Sequence, residues 1–291
     1  MKFVGLVAAA LLIVEPIPVS AKNAPYVVPG AEVISLHSKE TGATYKLFVE
    51  RPPAAPKDGE SYPVVYMLDA DYSFSIVANV LRHFVERDIL PPMILVGIAY
   101  PGAVEDHDVY KMNRTRDYTP TFVKECCYGP KFQAHSGGAS KFADFIQNDV
   151  APLIEKKFHG ASDDRTIIGH SFGGLFAAYA LMTRPQLFQR FIMVSPSLWY
   201  DDGAIWKMEE AQAKSGAHLA AHVFLSVGGV ETQRMTDGIE ELKKRLDVRD
   251  DKDLQVDLQI FDGETHSSIF PAAVTRGITK VFDAYPPYER E

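Results

Sequence analysis

Apolar residues along this chain gather in short, nearly unbroken runs, separated by stretches in which they recur at helical spacing. Pro63-Val-Val-Tyr-Met-Leu68, Met93 to Ala99, Arg165 to Ile168, Phe191-Ile-Met-Val194, Val223-Phe-Leu-Ser-Val227 and Leu254 to Phe261 read as strands. The unbroken runs among them are what a strand covered on both sheet faces requires. Between the strands, Phe74, Val77, Leu81, Phe84 and Val85 mark one helix, and Phe142, Phe145, Ile146, Val150, Leu153 and Ile154 a longer one that Pro152 should bend. Leu175 to Met182 and Ile269 to Tyr285 add two more, while Glu32 to Ser38 and Ala43 to Arg51, joined at Glu40-Thr41-Gly42, form an antiparallel hairpin at one sheet edge. Strands alternating with helices predict an α/β fold, with a mainly parallel sheet, helices on both faces and the functional site at the strands' carboxyl ends. The pattern lapses from Tyr100 to Gly138, which reads as a loop insertion at about residues 101–138, and a structureless loop of that length is usually functional. No boundary or repeat divides residues 22–291, so one domain is expected.

One strand-to-helix junction carries chemistry. Gly169-His170-Ser171-Phe172-Gly173 links the Arg165 to Ile168 strand to the Leu175 to Met182 helix, a G-x-S-x-G nucleophile elbow in the strand-turn-helix setting it needs. So sharp a turn holds its corner residue in strained backbone geometry and pushes the side chain out over the sheet edge, and only glycine fits the crowded positions beside it, Gly169 and Gly173. Ser171 is the candidate nucleophile, and the N–H of Phe172 would point at a developing oxyanion.

Acyl transfer also needs a base, an acid to orient it and a second oxyanion donor. In the chain order Ser, Asp/Glu, His, the base is His266, which alone of nine histidines follows the last strand after a turn. Glu231 follows the preceding strand and is the candidate acid; Asp237, Asp201 and Asp262 are less well situated. The second donor belongs to Asp69-Ala70-Asp71, with Asp71 chosen, although a backbone donor leaves no side-chain trace that separates it from Ala70. His170 is too close in sequence to fold back onto Ser171 and should pack beside the site.

Composition narrows the partners. A net charge of −8 argues against nucleic acid or an anionic membrane, both of which need basic surface. Met1-Lys2, the apolar run Phe3 to Val14 and the small residues Val19-Ser20-Ala21 read as a signal peptide over residues 1–21, too short to span a bilayer comfortably. The mature protein is therefore expected in the periplasm or secreted, with no stable membrane insertion. The two cysteines, Cys126 and Cys127, are neighbours and read first as loop thiols, since adjacent cysteines rarely pair and two thiols make a poor zinc site, with a strained vicinal disulfide as the alternative. No metal motif is visible.

Taken together, these segments resemble the esterase D-like branch of the α/β-hydrolases, and within it the enterobactin-esterase type of siderophore hydrolases. The likeness runs over nearly all of the chain after the leader. It is carried by Val65-Tyr-Met-Leu-Asp69, Arg116-Asp-Tyr-Thr-Pro120, Gly169-His-Ser-Phe-Gly-Gly-Leu-Phe176, Ser195-Pro-Ser-Leu-Trp199, the Gly-x-x-Glu ending at Glu231, and Gly263-Glu-Thr-His266. The resemblance implies an α/β-hydrolase fold and serine ester hydrolysis through an acyl-enzyme without a cofactor. In siderophore-type members it implies cleavage of a catecholate trilactone, although the second aromatic of the usual Ser-Pro-Ser-x-Trp-Trp is Tyr200 here. An anionic siderophore would need local positive potential, expected from Lys111, Arg114, Arg116, Lys124 and Lys131 of the Tyr100 to Gly138 segment. Arg116 would pair with its oxygens, or else with Asp117 or another carboxylate to pin the loop, and Trp199 would wall the pocket, with Arg114, His170 and Tyr200 beside them. Competing readings are an acyltransferase of the mycolyltransferase-like type, a general carboxylesterase or thioesterase, and a non-catalytic ligand-binding protein.

Overall fold

A computed structural model describes residues 27–53, 56–57 and 59–283. The expected signal peptide and the last two residues of the expected closing helix, Ala284 and Tyr285, lie outside the described residues. Eight strands form one sheet in the order β1-β2-β4-β3-β5-β6-β7-β8. The hairpin β1 (Ala31–His37) and β2 (Thr44–Glu50) is antiparallel, and β2 also runs antiparallel to β4 (Ile94–Ala99). From β4 onward every pairing is parallel, through β3 (Tyr62–Met67), β5 (Gly160–His170), β6 (Arg190–Val194), β7 (Ala221–Gly228) and β8 (Leu254–Phe261).

The continuous apolar strands have the physical cause expected of them, because successive side chains point to opposite faces and both faces are covered. On one face Val65, Met67, Leu95, Ile168, Ile192 and Phe224 pack against α1 (Ala70–Val85) and α9 (Phe270–Val281). Their strand neighbours Val64, Tyr66, Val96, Ile167, Phe191 and Leu225 face the other layer, which includes α4 (Ala139–Phe145), α6 (Phe172–Thr183) and α8 (Gln233–Asp247). Fully burying each such side chain contributes about 1.5–3 kcal/mol. The helix expected to bend at Pro152 does depart from regularity there: a π-helical stretch, Ile146–Val150, joins α4 to α5 (Ala151–Phe158), with the proline in the first turn of α5, where its missing N–H costs little.

The segment from Tyr100 to Gly138 is not the structureless loop its sequence suggests. It contains α2 (His107–Tyr118) and the short α3 (Pro130–Gln133), and Asp106 caps α2 by accepting from the Asp108 N–H at 2.9 Å. The buried residues of α2 are Arg114, Thr115, Asp117 and Tyr118, so the helix buries polar groups and shows no apolar stripe. Thr119 clasps the far end of the segment, its carbonyl accepting from Ala139 N–H and its hydroxyl from Gly137 N–H. Cys126 and Cys127, read as loop thiols, are joined to each other in a disulfide within this segment.

Candidate active site

Ser171 stands between the end of β5 and the start of α6 with φ 59° and ψ −116°, a left-handed backbone that an L-residue adopts only under constraint. The constraint is packing. A Cβ at Gly169 would sit 2.1 Å from the carbonyl oxygen of Gly173, and one at Gly174 would sit 2.9 Å from Cα of Pro196. Gly173 has more room, its nearest contact being Asp69 Oδ2 at 3.3 Å, so the glycine that close approach demands after Ser171 is Gly174 more than Gly173. Phe172 opens α6, which makes its N–H one of the first-turn donors the helix itself cannot use.

The turns after β7 and β8 bring an acid and a base together. Glu231 Oε2 lies 2.7 Å from His266 Nδ1. The other carboxylate oxygen, Oε1, accepts from Ser195 Oγ at 2.5 Å and from the Gly228 N–H at 2.9 Å. Burial alone would push the Glu231 carboxyl up, but the hydrogen bonds from His266, Ser195 and Gly228 outweigh it and hold the group below the usual glutamate value. Its side chain is 2% exposed, against 41% for His266. A carboxylate can only accept, so Nδ1 carries the proton and Nε2 of the neutral ring is an acceptor.

Ser171, Phe172, Glu231 and His266 line one pocket of about 550 Å³, together with Cys127, Tyr128, Ser197, Trp199, Arg234 and Met235 among others. Ser171 Oγ is 3.4 Å from Ser197 Oγ within it. Against this geometry, the Esterase family model matches residues 38–270. The ferri-bacillibactin esterase BesA of Bacillus subtilis (strain 168) is 32% identical over 265 residues, covering 87% of this chain and 90% of that protein. The chain belongs to the Esterase family. The siderophore enterobactin esterase of Emericella nidulans is 31% identical over 257 residues, covering 76% of this chain and 82% of its own. Among solved structures, the BES protein from Bacillus cereus superposes with a TM-score of 0.79 at 28% identity, covering 90% of this chain and 98% of that one.

Several residues expected at the site of this esterase lie elsewhere or do something else. Arg116 is held by its neighbours: Nε and Nη2 donate to the two oxygens of Asp117 at 2.7 and 2.8 Å, and Nη1 to Asn113 Oδ1 at 2.8 Å. It does not line the pocket, because the fully buried Asp117 requires its charge. Arg114 is buried beneath the pocket, donating to both oxygens of Asp69 at 3.1 Å and to the hydroxyl of Tyr128. Tyr200 is fully buried, its hydroxyl donating to Thr121 O and meeting Gln133 Oε1, each at 3.1 Å. Asp71, chosen as an oxyanion donor, faces a separate hollow with Val28, Phe48 and Phe74, and its own N–H lies against its own carboxylate. His170 does pack beside the site: its Nε2 donates to the His266 carbonyl at 2.9 Å and the two rings lie 4.7 Å apart. Burial, and then the neighbouring His266, lower the His170 pKa to about 4, so it is a neutral spacer. Trp199 lines the pocket.

Sequence reasoning passed over Ser195, which bonds Glu231; its signal was the Ser-Pro-Ser run at the end of β6, beside the strand that carries the acid. It also passed over Arg234 and Tyr128, and named Asp69 only within the segment expected to hold the second oxyanion donor. Among the described residues no group of His, Cys, Asp and Glu is arranged to hold a metal ion, and no helix is long and apolar enough to cross a membrane.

Proposed function

We propose that this esterase is a serine hydrolase that cleaves siderophore-like esters through an acyl-enzyme on Ser171, with His266 as general base and Glu231 as the acid that orients it. The observation that carries the reading is the 2.7 Å contact between Glu231 Oε2 and His266 Nδ1 at the rim of the pocket that Ser171 lines. With Nδ1 protonated against the carboxylate, Nε2 takes the Ser171 proton as Oγ attacks the ester carbonyl, and Glu231 stabilises the imidazolium that forms. The carbonyl oxygen becomes an oxyanion, for which the Phe172 N–H is the donor. His266 then hands the proton to the departing alkoxide, and water repeats the cycle on the acyl-enzyme. No cofactor takes part in these steps.

Support for the substrate class comes from the relatives, whose names are a ferri-bacillibactin esterase and a siderophore enterobactin esterase. Export is part of the proposal: the apolar leader ending near Ala21 favours the periplasm or the outside for a single domain of residues 22–291. The test is a fluorophosphonate probe, followed by turnover of simple aryl esters and catecholate lactones. Wild-type protein should be labelled on Ser171, and Ser171→Ala should lose the label and at least about a thousandfold in kcat with little change in KM. A Ser171→Ala enzyme that keeps a tenth of the wild-type kcat would overturn the assignment.

A further inference from the structure

If substrates are anionic, something at the pocket must meet their charge, and no cation of the Tyr100 to Gly138 segment, the cap over this end of the sheet, lines it. Arg114 is buried against Asp69, Arg116 is paired with Asp117, Lys131 is paired with Asp108, and neither Lys124 nor Lys111, whose ammonium lies over the rings of Tyr128 and Phe132, lines the pocket. Among the described residues that line the pocket, the one guanidinium or ammonium group belongs to Arg234.

Arg234 differs from the three paired cations in its surroundings, and from Lys111 and Lys124 in lining the pocket. It is exposed, sits in the first turn of α8, and has no carboxylate partner among the described residues. Its guanidinium carbon lies 4.1 Å from the centroid of the Trp199 ring. That ring is itself fixed, because its indole N–H donates to Met235 Sδ at 3.1 Å and Met235 is buried. A guanidinium laid over an aromatic face loses little motion on binding and keeps the N–H groups at its edge free for oxygens in its plane. The helix beneath it adds to the effect: α8 is 15 residues long, carries no acidic residue in its first turn, and its N-cap Thr232 makes no side-chain capping bond. In a protein of net charge −8, an arginine without a carboxylate partner among the described residues at such a place is suited to meet an anion.

We propose that Arg234, held on Trp199, recognises the anionic, planar aryl part of the substrate, and so makes this esterase select esters whose acyl group carries an aromatic ring with a carboxylate or phenolate. The inference rests on the ester-hydrolase reading above, and the experiment separates the two. Two 4-nitrophenyl esters are compared, one of benzoic acid and one of terephthalic acid, whose acyl ring bears a free carboxylate. Binding is measured separately by calorimetry on the same proteins with 4-carbamoylbenzoate and neutral terephthalamide, which are not esters.

Wild type should favour the anionic member of each pair. Arg234→Gln should lower the ratio of kcat/KM, anionic over neutral, by at least about tenfold, as expected for loss of a charged hydrogen bond, and should erase the difference in Kd. Arg234→Lys, which keeps the charge without the plane, should recover part of both. A ratio that stays within twofold of wild type in Arg234→Gln overturns the proposal, as does a wild type that turns over both esters without preference for charge; either result leaves the esterase reading intact. Conversely, a wild type that turns over neither ester and takes no fluorophosphonate label, yet binds 4-carbamoylbenzoate through Arg234, upholds the anion site and sinks the esterase reading.

Discussion

Changing Glu231 to glutamine removes a charge and alters one atom, and the structure dictates which way round the new amide must sit. At Oε1 the carboxylate accepts from Ser195 Oγ at 2.5 Å and from Gly228 N–H at 2.9 Å, and the backbone N–H can only donate. The amide oxygen of the glutamine is therefore forced into that position, and its NH2 faces His266 Nδ1, 2.7 Å away in the native protein. Two donors cannot face each other, so the imidazole must adopt the tautomer with its proton on Nε2, where it can no longer take a proton from Ser171. The expected cost in kcat is roughly 10²- to 10⁴-fold, about 3–5 kcal/mol of barrier. Since the amide keeps the bonds to Ser195 and Gly228, the melting temperature should move little. The assay is release of 4-nitrophenol at saturating ester, with a thermal melt on the same sample. Ser195→Ala gives the complementary test. Glu231 is held below its usual value by three donors, so its contribution to stability is present above the unfolded-state pKa and is lost as pH falls through the folded one. Removing one donor raises the folded pKa and should move the acid-side losses of activity and stability to higher pH. A Glu231→Gln enzyme within fivefold of wild type would refute the tautomer argument.

Two further predictions concern residues that the fold uses differently from their expected roles. Arg116→Leu would leave the carboxylate of Asp117 buried without its partner, at a cost of about 3–5 kcal/mol and a fall in Tm of roughly 10 °C, with equal losses on neutral and anionic esters. A charge-selective rise in KM at unchanged Tm would return Arg116 to the substrate. Asp71 titrates at about 6, raised by burial and by the charge of Asp69 although the Tyr100 N–H opposes both, so the folded state binds more protons than the unfolded one between roughly pH 4 and that value, and stability falls as pH rises through the window. Asp71→Asn keeps an acceptor for Tyr100 N–H and should raise Tm at pH 7.5 by a few degrees, about 1 kcal/mol once solvent screening of this partly exposed group is allowed for, with no gain at pH 4. A lower Tm at pH 7.5 would show that the charge is used.

The sheet was legible because its signal is hydrophobic and local: buried runs such as Val64 to Met67 admit no other reading once helical stretches lie between them. The elbow was legible for a different reason, since the close approach of Gly169 to Gly173 leaves glycine as the residue that fits. His266 and Glu231 could be chosen by chain order alone, because each follows a strand end in a parallel sheet and those ends converge. What periodicity could not reveal is a helix that buries charge. In α2 the inward residues include Arg114 and Asp117, and a search for apolar stripes passes over them. The segment read as basic from its five Lys and Arg residues set against Asp117 and Glu125, but with Glu105, Asp106 and Asp108 its acids equal them in number. The cation that does line the pocket, Arg234, lies about a hundred residues further along, and nothing local in the sequence ties it to Trp199.

The same charges explain how the cap is fastened. Asp69, two residues after β3, has φ 54°, and its carboxylate accepts from the Tyr110 hydroxyl at 2.9 Å and from two nitrogens of Arg114 at 3.1 Å, while its N–H donates to the Tyr118 hydroxyl at 3.2 Å. All three partners belong to α2, so the helix is attached to the end of a central strand through one buried carboxylate. From the other side of its guanidinium, Arg114 donates to the hydroxyl of Tyr128, which lines the pocket and meets the ring of Phe172 edge-on at 5.7 Å. A buried ion pair of this kind contributes little net stability, since desolvation offsets most of the Coulomb gain, but its geometry is specific in a way that apolar contact is not. Asp69 and Arg114 thus fix where the cap sits relative to the elbow. The pocket wall at Tyr128 is set by the strand that ends beside Ser171, which is why a polar segment with no apolar stripe can hold one side of the pocket in register with that serine.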